Sequence, residues 1–342
     1  MAHNIPLVMR VMASSITAAN RAGKIIRDVM SQGELGIVEK GKDDLQTEAD
    51  RSAQRCIVAS LSHQFPNITI IGEEGVSDIE VLVPSDWLIT HGDPETLKQK
   101  CPDVLENITE EDIVVWVDPL DGTSEYTQGA LMLKGNTWER WKSYVAHPFI
   151  SAKWYLSLLH SEYGFLEHVT VLIGISVREQ AVGGVIHQPY WGGGAGGRTI
   201  WGLEGLGVRG LSTPSPSASP LVITTSRSHS NALVESCLEA LKPDTVLRGG
   251  GAGYKVLQLL EGQANAYVFA SGGCKKWDTC APEAVLRAAG GRLTDILGRA
   301  YSYGSKVAKP NSSGVLAALS SPLHEELVTK IPESVKNKLR NK

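Results

Sequence analysis

Ile113-Val114-Val115 is an unbroken apolar run, the pattern of a central strand covered on both faces. Runs at 68–71, 169–177, 182–188, 221–224, 246–248 and 267–269 read as further strands. A helical period appears first near the N-terminus. Val8, Val11, Met12, Ile16, Ala19, Ala22, Ile26, Val29 and Met30 line up on one face, and Gly33 and Gly36 end that helix. Residues 51–62, 231–241, 254–260 and 284–289 are expected helices, and a basic helical tail runs to Lys342. Strands thus alternate with helices, which is the α/β class. Segments 76–111 and 192–197 lack such a pattern and read as irregular surface structure and a turn.

Composition changes most at Ser212-Thr213-Pro214-Ser215-Pro216-Ser217-Ala218-Ser219-Pro220. A linker there divides an N-terminal α+β domain, 1–211, from a C-terminal α/β domain, 221–330. With 342 residues and 42% hydrophobic content, two domains of ordinary size can each bury a core. The net charge of −4, without a basic block, argues against a nucleic acid polymer as partner. Cys56, Cys101, Cys237, Cys274 and Cys280 make an odd set with no C-x-x-C pair, which suits a reducing, cytoplasmic setting. No apolar run is long enough to span a bilayer, so no membrane partner is expected. Arg10, Arg21, Lys24 and Arg27 precede the first acid, Asp28, as in a transit peptide, but the apolar face favours a folded helix.

The chemistry gathers where strands end. After the 113–115 strand come Asp118 and Asp121, separated by Pro119 and Leu120, then Gly122-Thr123. A central strand does not accommodate proline, so a turn is expected at Pro119. Two carboxylates, the Leu120 carbonyl and the Thr123 hydroxyl form an all-oxygen set suited to Mg²⁺ or Mn²⁺. The same residues can equally be an Asp-Pro turn and a helix cap. Glu73 follows the 68–71 strand, and an acidic stretch ending in Asp50 precedes the 51–62 helix. Ser226, Arg227 and His229 lie between a strand and a helix, where Ser230 would serve as cap. The run Gly249-Gly250-Gly251-Ala252-Gly253-Tyr254-Lys255 lets backbone approach a phosphate, although it is not a Walker A loop. Asp278 can be a ligand or a helix cap with Pro282 in the first turn.

Together, Gly72-Glu73-Glu74, Asp118-Pro119-Leu120-Asp121-Gly122-Thr123 and Trp277-Asp278-Thr279-Cys280-Ala281-Pro282-Glu283 resemble the signature of the inositol monophosphatase superfamily. These are Mg²⁺-dependent, Li⁺-inhibited phosphomonoesterases. The 225–230, 249–255 and 273–283 segments resemble its bisphosphate nucleotidases, over nearly the whole chain outside 130–168. The resemblance implies a layered αβαβα sandwich and two or three Mg²⁺ ions, with Mn²⁺ as a possible substitute. It implies metal ligation by Glu73, Asp118, the Leu120 carbonyl, Asp121 and Asp278. Asp50 and Thr123 would orient and deprotonate the attacking water, while Ser226, His229, Gly251 and Lys255 would hold the substrate. The implied reaction is hydrolysis of the 3′-phosphate of adenosine 3′,5′-bisphosphate to AMP, with its sulfated analogue and inositol 1,4-bisphosphate as further substrates. Inositol polyphosphate 1-phosphatase activity is the alternative, as is a catalytically impaired isoform. The implied assembly is a monomer or weak homodimer.

Two features depart from that pattern. Ser124 stands where relatives usually carry Lys. Residues 130–164 form an insertion that holds Trp138, Trp141 and Trp154, with candidate helices at 138–144 and 149–160. A long surface insertion costs little in loop entropy. Deletion of 131–163 is therefore expected to change kcat/KM little; a large gain or loss in steady-state assays would show that the insertion acts on the site.

Overall fold

The computed structural model describes residues 5–33, 35–41, 44–75, 83–136, 165–193, 196–211, 220–228 and 230–340, with backbone alone at 44 and 131–136. The insertion's two candidate helices lie outside the described residues. Helix α1, Leu7–Gln32, buries the apolar face expected of it, and Gly33 closes it in the left-handed conformation at φ 78°. A small hairpin of β1, Val38–Gly41, and β2, Asp44–Gln46, leads into α2, Glu48–Gln64. That helix starts earlier than its apolar pattern because Thr47 and Asp50 form a reciprocal capping box.

Strands β3, Thr69–Gly72, and β4, Ile113–Asp121, run parallel. The short helix α3, Pro94–Leu97, lies between them in an otherwise largely irregular stretch. Helix α4, Thr123–Asn136, follows β4. Strands β5, Thr170–Val177, β6, Gln180–Gln188, β7, Arg198–Leu203, and β8, Gly207–Arg209, extend the sheet by antiparallel pairing. The order in this six-stranded sheet is β3-β4-β5-β6-β7-β8.

A second, five-stranded sheet has the order β10-β9-β11-β15-β13. Its strands are β9, Val222–Ser226, β10, Thr245–Gly249, β11, Ala266–Phe269, β13, Arg292–Thr294, and β15, Val315–Ala318. Between them lie α5, Ala232–Leu241, α6, Ala252–Leu260, and α7, Lys276–Ala288. Strands β12, Cys274–Lys275, and β14, Pro310–Asn311, pair separately. Helices α8, Ser321–Lys330, and α9, Glu333–Arg340, complete the chain. Helices α1 and α2 cover one face of the first sheet, α6 and α7 lie between the sheets, and α5, α8 and α9 cover the far side. This is the expected five-layer αβαβα arrangement.

One close approach sets the middle layer. Gly174, Gly184 and Gly202 face one another across β5, β6 and β7 in consecutive register. A Cβ at Gly184 would sit 2.3 Å from the Ala281 carbonyl oxygen, one at Gly174 2.6 Å from Cys280 Sγ, and one at Gly202 2.9 Å from Ala288 Cβ. The three glycines therefore form a trough across the sheet in which α7 rests. A helix from the C-terminal part of the chain is thereby pressed onto the sheet of the N-terminal part.

Three local expectations are corrected. Pro119 does not end its strand: β4 continues to Asp121, and the register shifts between Asp118 and Asp121. Such a bulge accepts a residue that has no N–H to give. Helix α7 begins at Lys276, so Pro282 lies inside it and not in its first turn. Asn231, not Ser230, caps α5, its side chain accepting from the N–H groups of Leu233 and Val234.

Gly184→Ala should lower stability by roughly 1–3 kcal/mol, because the sheet and α7 must part to admit the methyl group. A methyl group at Gly196 would meet nothing within 4 Å, so Gly196→Ala should stay within about 0.5 kcal/mol of the parent. Urea midpoints measured side by side check both.

Candidate active site

The C-terminal ends of β3 and β4 and the start of α7 open on one cavity of about 400 Å³. Glu73, Asp118, Leu120, Asp121, Thr123, Ser226, Gly251, Lys255 and Asp278 all line it. Among the residues singled out from the sequence, Asp50 stands behind the wall and His229 lies outside the described residues. Glu73 is brought in because its N–H donates to the Val117 carbonyl at 3.0 Å, extending the β3–β4 ladder by one bond. Asp118 and Asp121 flank the bulge, and Asp278 arrives on the first turn of α7. The glycine trough is thus what carries the fourth carboxylate across.

Asp118 and Asp121 are buried, while Glu73 and Asp278 are partly open to the cavity. Desolvation pushes the Glu73 carboxyl up to about 8, with the Asp278 charge adding to the effect. Asp118 is raised well above the carboxylate range by desolvation and then by Glu73, Asp121 and Asp278. Asp278 is pushed up to about 6 by desolvation and by Asp121. Asp121 is raised by desolvation against the pull of Lys255 and of several hydrogen bonds. Like charges crowded in one cleft favour a divalent cation as counter-charge. The donors are all oxygen, which fits a hard cation such as Mg²⁺ and not zinc.

The carboxylates do not close on one point. Among the described residues no three His, Cys, Asp or Glu side chains converge as a metal-binding group. Asp121 commits one oxygen to the Ala252 N–H at 2.9 Å and the other to the Gly253 N–H and Thr170 hydroxyl, both at 2.8 Å. Asp278 accepts from the Lys275 N–H at 2.7 Å, so it caps its helix while facing the cavity. Lys40, on the β1–β2 hairpin, reaches Glu73 at 3.3 Å and Glu74 at 3.0 Å.

The glycine run also departs from expectation. Two of its N–H groups, anticipated as phosphate contacts, belong to Asp121, and that of Gly250 points at His168 Nδ1, 3.4 Å away. Gly251 is obligatory here: its φ is +67°, and a Cβ would lie 2.8 Å from Asp121 Oδ2. Lys255 is buried, with its ammonium on the Gly251 carbonyl. Burial lowers its pKa, and Asp121 opposes that fall.

Beside the cavity, the Thr123 hydroxyl lies 3.3 Å from Asp50 Oδ1 and 3.1 Å from the Leu120 carbonyl. The other Asp50 oxygen accepts from the Thr47 N–H at 2.7 Å and from the Thr47 hydroxyl. Asp50 is fully buried and is pushed up to about 6 by desolvation, with Thr47 opposing. Gly122, Thr123 and Ser124 open α4 toward the cavity, so the positive end of that helix faces it.

Sequence reasoning missed Glu125 and His168 and left Arg227 without a contact. Glu125 is buried and pairs with Arg227 at 2.8 Å, joining α4 to the end of β9. The Arg227 guanidinium also stands 4.4 Å above the Phe165 ring. His168 stacks on Tyr254 with ring centres 3.9 Å apart. Nothing in the local pattern around 125, 165 or 168 marks these pairs, since each joins residues far apart in the chain.

The comparisons with known proteins agree with one another. The model of the inositol monophosphatase family matches residues 8–336. Over 349 aligned residues, covering 99% of each chain, the protein is 47% identical to the mouse and the human 3′(2′),5′-bisphosphate nucleotidase 1. It is 33% identical to the Dictyostelium discoideum protein of that name, over 92% of this chain and 94% of the relative. Among solved structures, the suhB protein of Bartonella henselae superposes with a TM-score of 0.61 at 18% identity, covering 94% of this chain and 98% of that one. A family model spanning almost the whole sequence, relatives of high identity and full coverage, and the five-layer fold lead to one conclusion: the chain belongs to the inositol monophosphatase family.

Proposed function

We propose that the protein is a Mg²⁺-dependent phosphomonoesterase that removes the 3′-phosphate of adenosine 3′,5′-bisphosphate, yielding AMP and phosphate. The observation that carries this reading is the shared cavity. Glu73, Asp118, Asp121, Asp278 and the Leu120 carbonyl face one space beside the Thr123–Asp50 pair, in a chain 47% identical to bisphosphate nucleotidases. The family is generally Mg²⁺-dependent. The sulfated analogue and inositol 1,4-bisphosphate are further proposed substrates, and Li⁺ a proposed inhibitor. Five free, buried cysteines suit the cytoplasmic setting that we also propose.

Glu73, Asp118, Asp121, Asp278 and the Leu120 carbonyl would hold the cations. Bound there, Mg²⁺ supplies an acidified water and counter-charge for the phosphoryl oxygens. To serve as ligands, Asp121 and Asp278 must share or yield the backbone N–H groups that they accept from here. The remaining chemistry belongs to the chain. The Thr123 hydroxyl has two acceptors, the Leu120 carbonyl at 3.1 Å and Asp50 at 3.3 Å. With that carbonyl committed to a cation, the hydroxyl's one proton would go to Asp50, which leaves its lone pairs to accept from the attacking water. As water loses a proton to Thr123, Thr123 passes its own to Asp50. Burial of Asp50 raises its proton affinity toward neutrality and so suits it to this task. The N-terminus of α4 adds positive potential where charge builds on the phosphoryl group. Ser226, Gly251 and Lys255, with His229, are the proposed nucleotide contacts. Lys255 also supplies part of the positive charge that Ser124 lacks.

Asp118→Asn should abolish Mg²⁺-dependent phosphate release from adenosine 3′,5′-bisphosphate; turnover at the parent rate would exclude the assigned role. Asp50→Asn should lower kcat by roughly 100- to 10,000-fold with little change in KM. The carboxylate form of Asp50 is the base, and its pKa is raised to about 6, so activity should fall as pH drops through that value. A pH–kcat profile of the parent that stays flat to pH 5 would rule Asp50 out as the base.

A further inference from the structure

Asp278 has two tasks that compete. It is the proposed cation ligand contributed by α7, and it also caps α7 by accepting from the Lys275 N–H at 2.7 Å. The first turn of a helix has N–H groups that no intrahelical carbonyl satisfies, so a cap that turns away to a cation loosens the turn it closes. The first turn of α7 therefore needs a second hold if Asp278 is to change partner and keep its place.

Asn311 supplies that hold. It is 1% exposed and stands behind the cavity wall. Its amide nitrogen donates to the Lys275 carbonyl and to the Thr279 hydroxyl, each at 2.9 Å. Its amide oxygen accepts from the buried Lys276 ammonium. Both N–H bonds and the oxygen are thus in use. Turning the amide over would set its NH2 against the ammonium and its oxygen against a carbonyl. The Thr279 hydroxyl passes the link on, with the Lys275 and Lys276 carbonyls 3.3 Å and 3.4 Å away. The backbone fixes Asn311 in turn: it pairs with Cys274 across β12 and β14, and the Lys276 N–H donates to the Lys309 carbonyl at 2.9 Å.

We propose that Asn311 is a positioning residue for the cation site: it holds the first turn of α7 so that Asp278 can exchange the Lys275 N–H for a divalent cation. The proposal rests on the phosphatase reading above. Asp278 and Asn311 grip the same residue, one by the Lys275 N–H and the other by the Lys275 carbonyl. Lys275, Lys276 and Thr279 bracket Asp278 in the chain, and all three bond to Asn311. The backbone of Asp278 therefore stays in place when its carboxylate moves. Lys276 ties the device to its surroundings, because its ammonium also stands 4.4 Å from the centre of the Tyr301 ring. Loss of the Asn311 oxygen would strip that buried charge of an acceptor. Asn311 acts through Asp278 and not on the substrate. Partners that orient a metal ligand in this way set the affinity of the metal.

The test measures Mn²⁺ binding to the free protein, read from the loss of the free-ion EPR signal. Asn311→Asp keeps the shape of the side chain and an acceptor for Lys276 but loses both donated bonds. It should weaken Mn²⁺ binding about tenfold, although its added negative charge alone would strengthen binding. Thr279→Val, which removes one acceptor, should act in the same direction but less, and Thr279→Ser should keep the parental affinity. Leu327→Ala, in the core beneath α8 on the far side, should lower Tm and leave Mn²⁺ binding unmoved. If folded Asn311→Asp binds Mn²⁺ as the parent does, or if Leu327→Ala weakens binding as much, the positioning role is refuted while the phosphatase reading stands. If Asn311→Asp does not fold, the Thr279 pair decides: weaker binding by the Val variant alone supports the role, and equal binding by both refutes it. If the parent itself binds no Mn²⁺, the cation reading of the cavity fails.

Discussion

Everything at the cavity depends on how closely α7 lies on the first sheet. Gly174, Gly184 and Gly202 present no side chains along a line across three strands, and Cys280, Ala281 and Ala288 fill the space left. Helix-to-sheet contact at this range cannot admit even a methyl group without strain. The consequence is chemical as well as mechanical. Asp278 belongs to the C-terminal part of the chain, and only this contact brings it to the ends of β3 and β4, where Glu73, Asp118 and Asp121 already stand.

Having gathered these charges, the fold manages them unevenly. Asp121 is stabilised by two backbone N–H groups, a threonine hydroxyl and the field of Lys255. Asp118 has the Leu120 N–H at 3.0 Å and is otherwise exposed to the repulsion of its neighbours. Such an arrangement costs folding free energy and is sustained by the two cores that flank it. Strained electrostatics of this kind belong to sites that bind or react, because a packed apolar wall would serve stability better.

The two parts of the chain also meet through paired charges. Glu125 on α4 and Arg227 after β9 form a link at the side of the cavity, and Gly250 packs directly on the Glu125 carboxylate. Arg227 touches Phe165 as well, the residue where the described structure resumes after the insertion. The residue that follows the insertion is therefore held beside the Glu125–Arg227 pair. On the β12–β14 side, the ammoniums of Lys275 and Lys309 stand 5.9 Å and 5.8 Å from the centre of the Trp277 ring.

The linear pattern by itself determined a good deal. Alternating apolar runs specified the strands, the period of 1–33 specified α1, and carboxylates placed just after strands specified where chemistry would lie. Those features are local, because burial of a strand or a helix face is written in neighbouring residues. The resemblance of three motifs supplied the family and its five-layer fold. Only the tertiary structure decided the rest. It placed Pro119 in a bulge, gave two amides of the glycine run to Asp121 and joined Glu125 to Arg227. Each of these depends on a partner about 50 to 130 residues away, or on a register between strands. No window along the chain contains that information, because it is the close packing of one helix into one trough that brings the partners together.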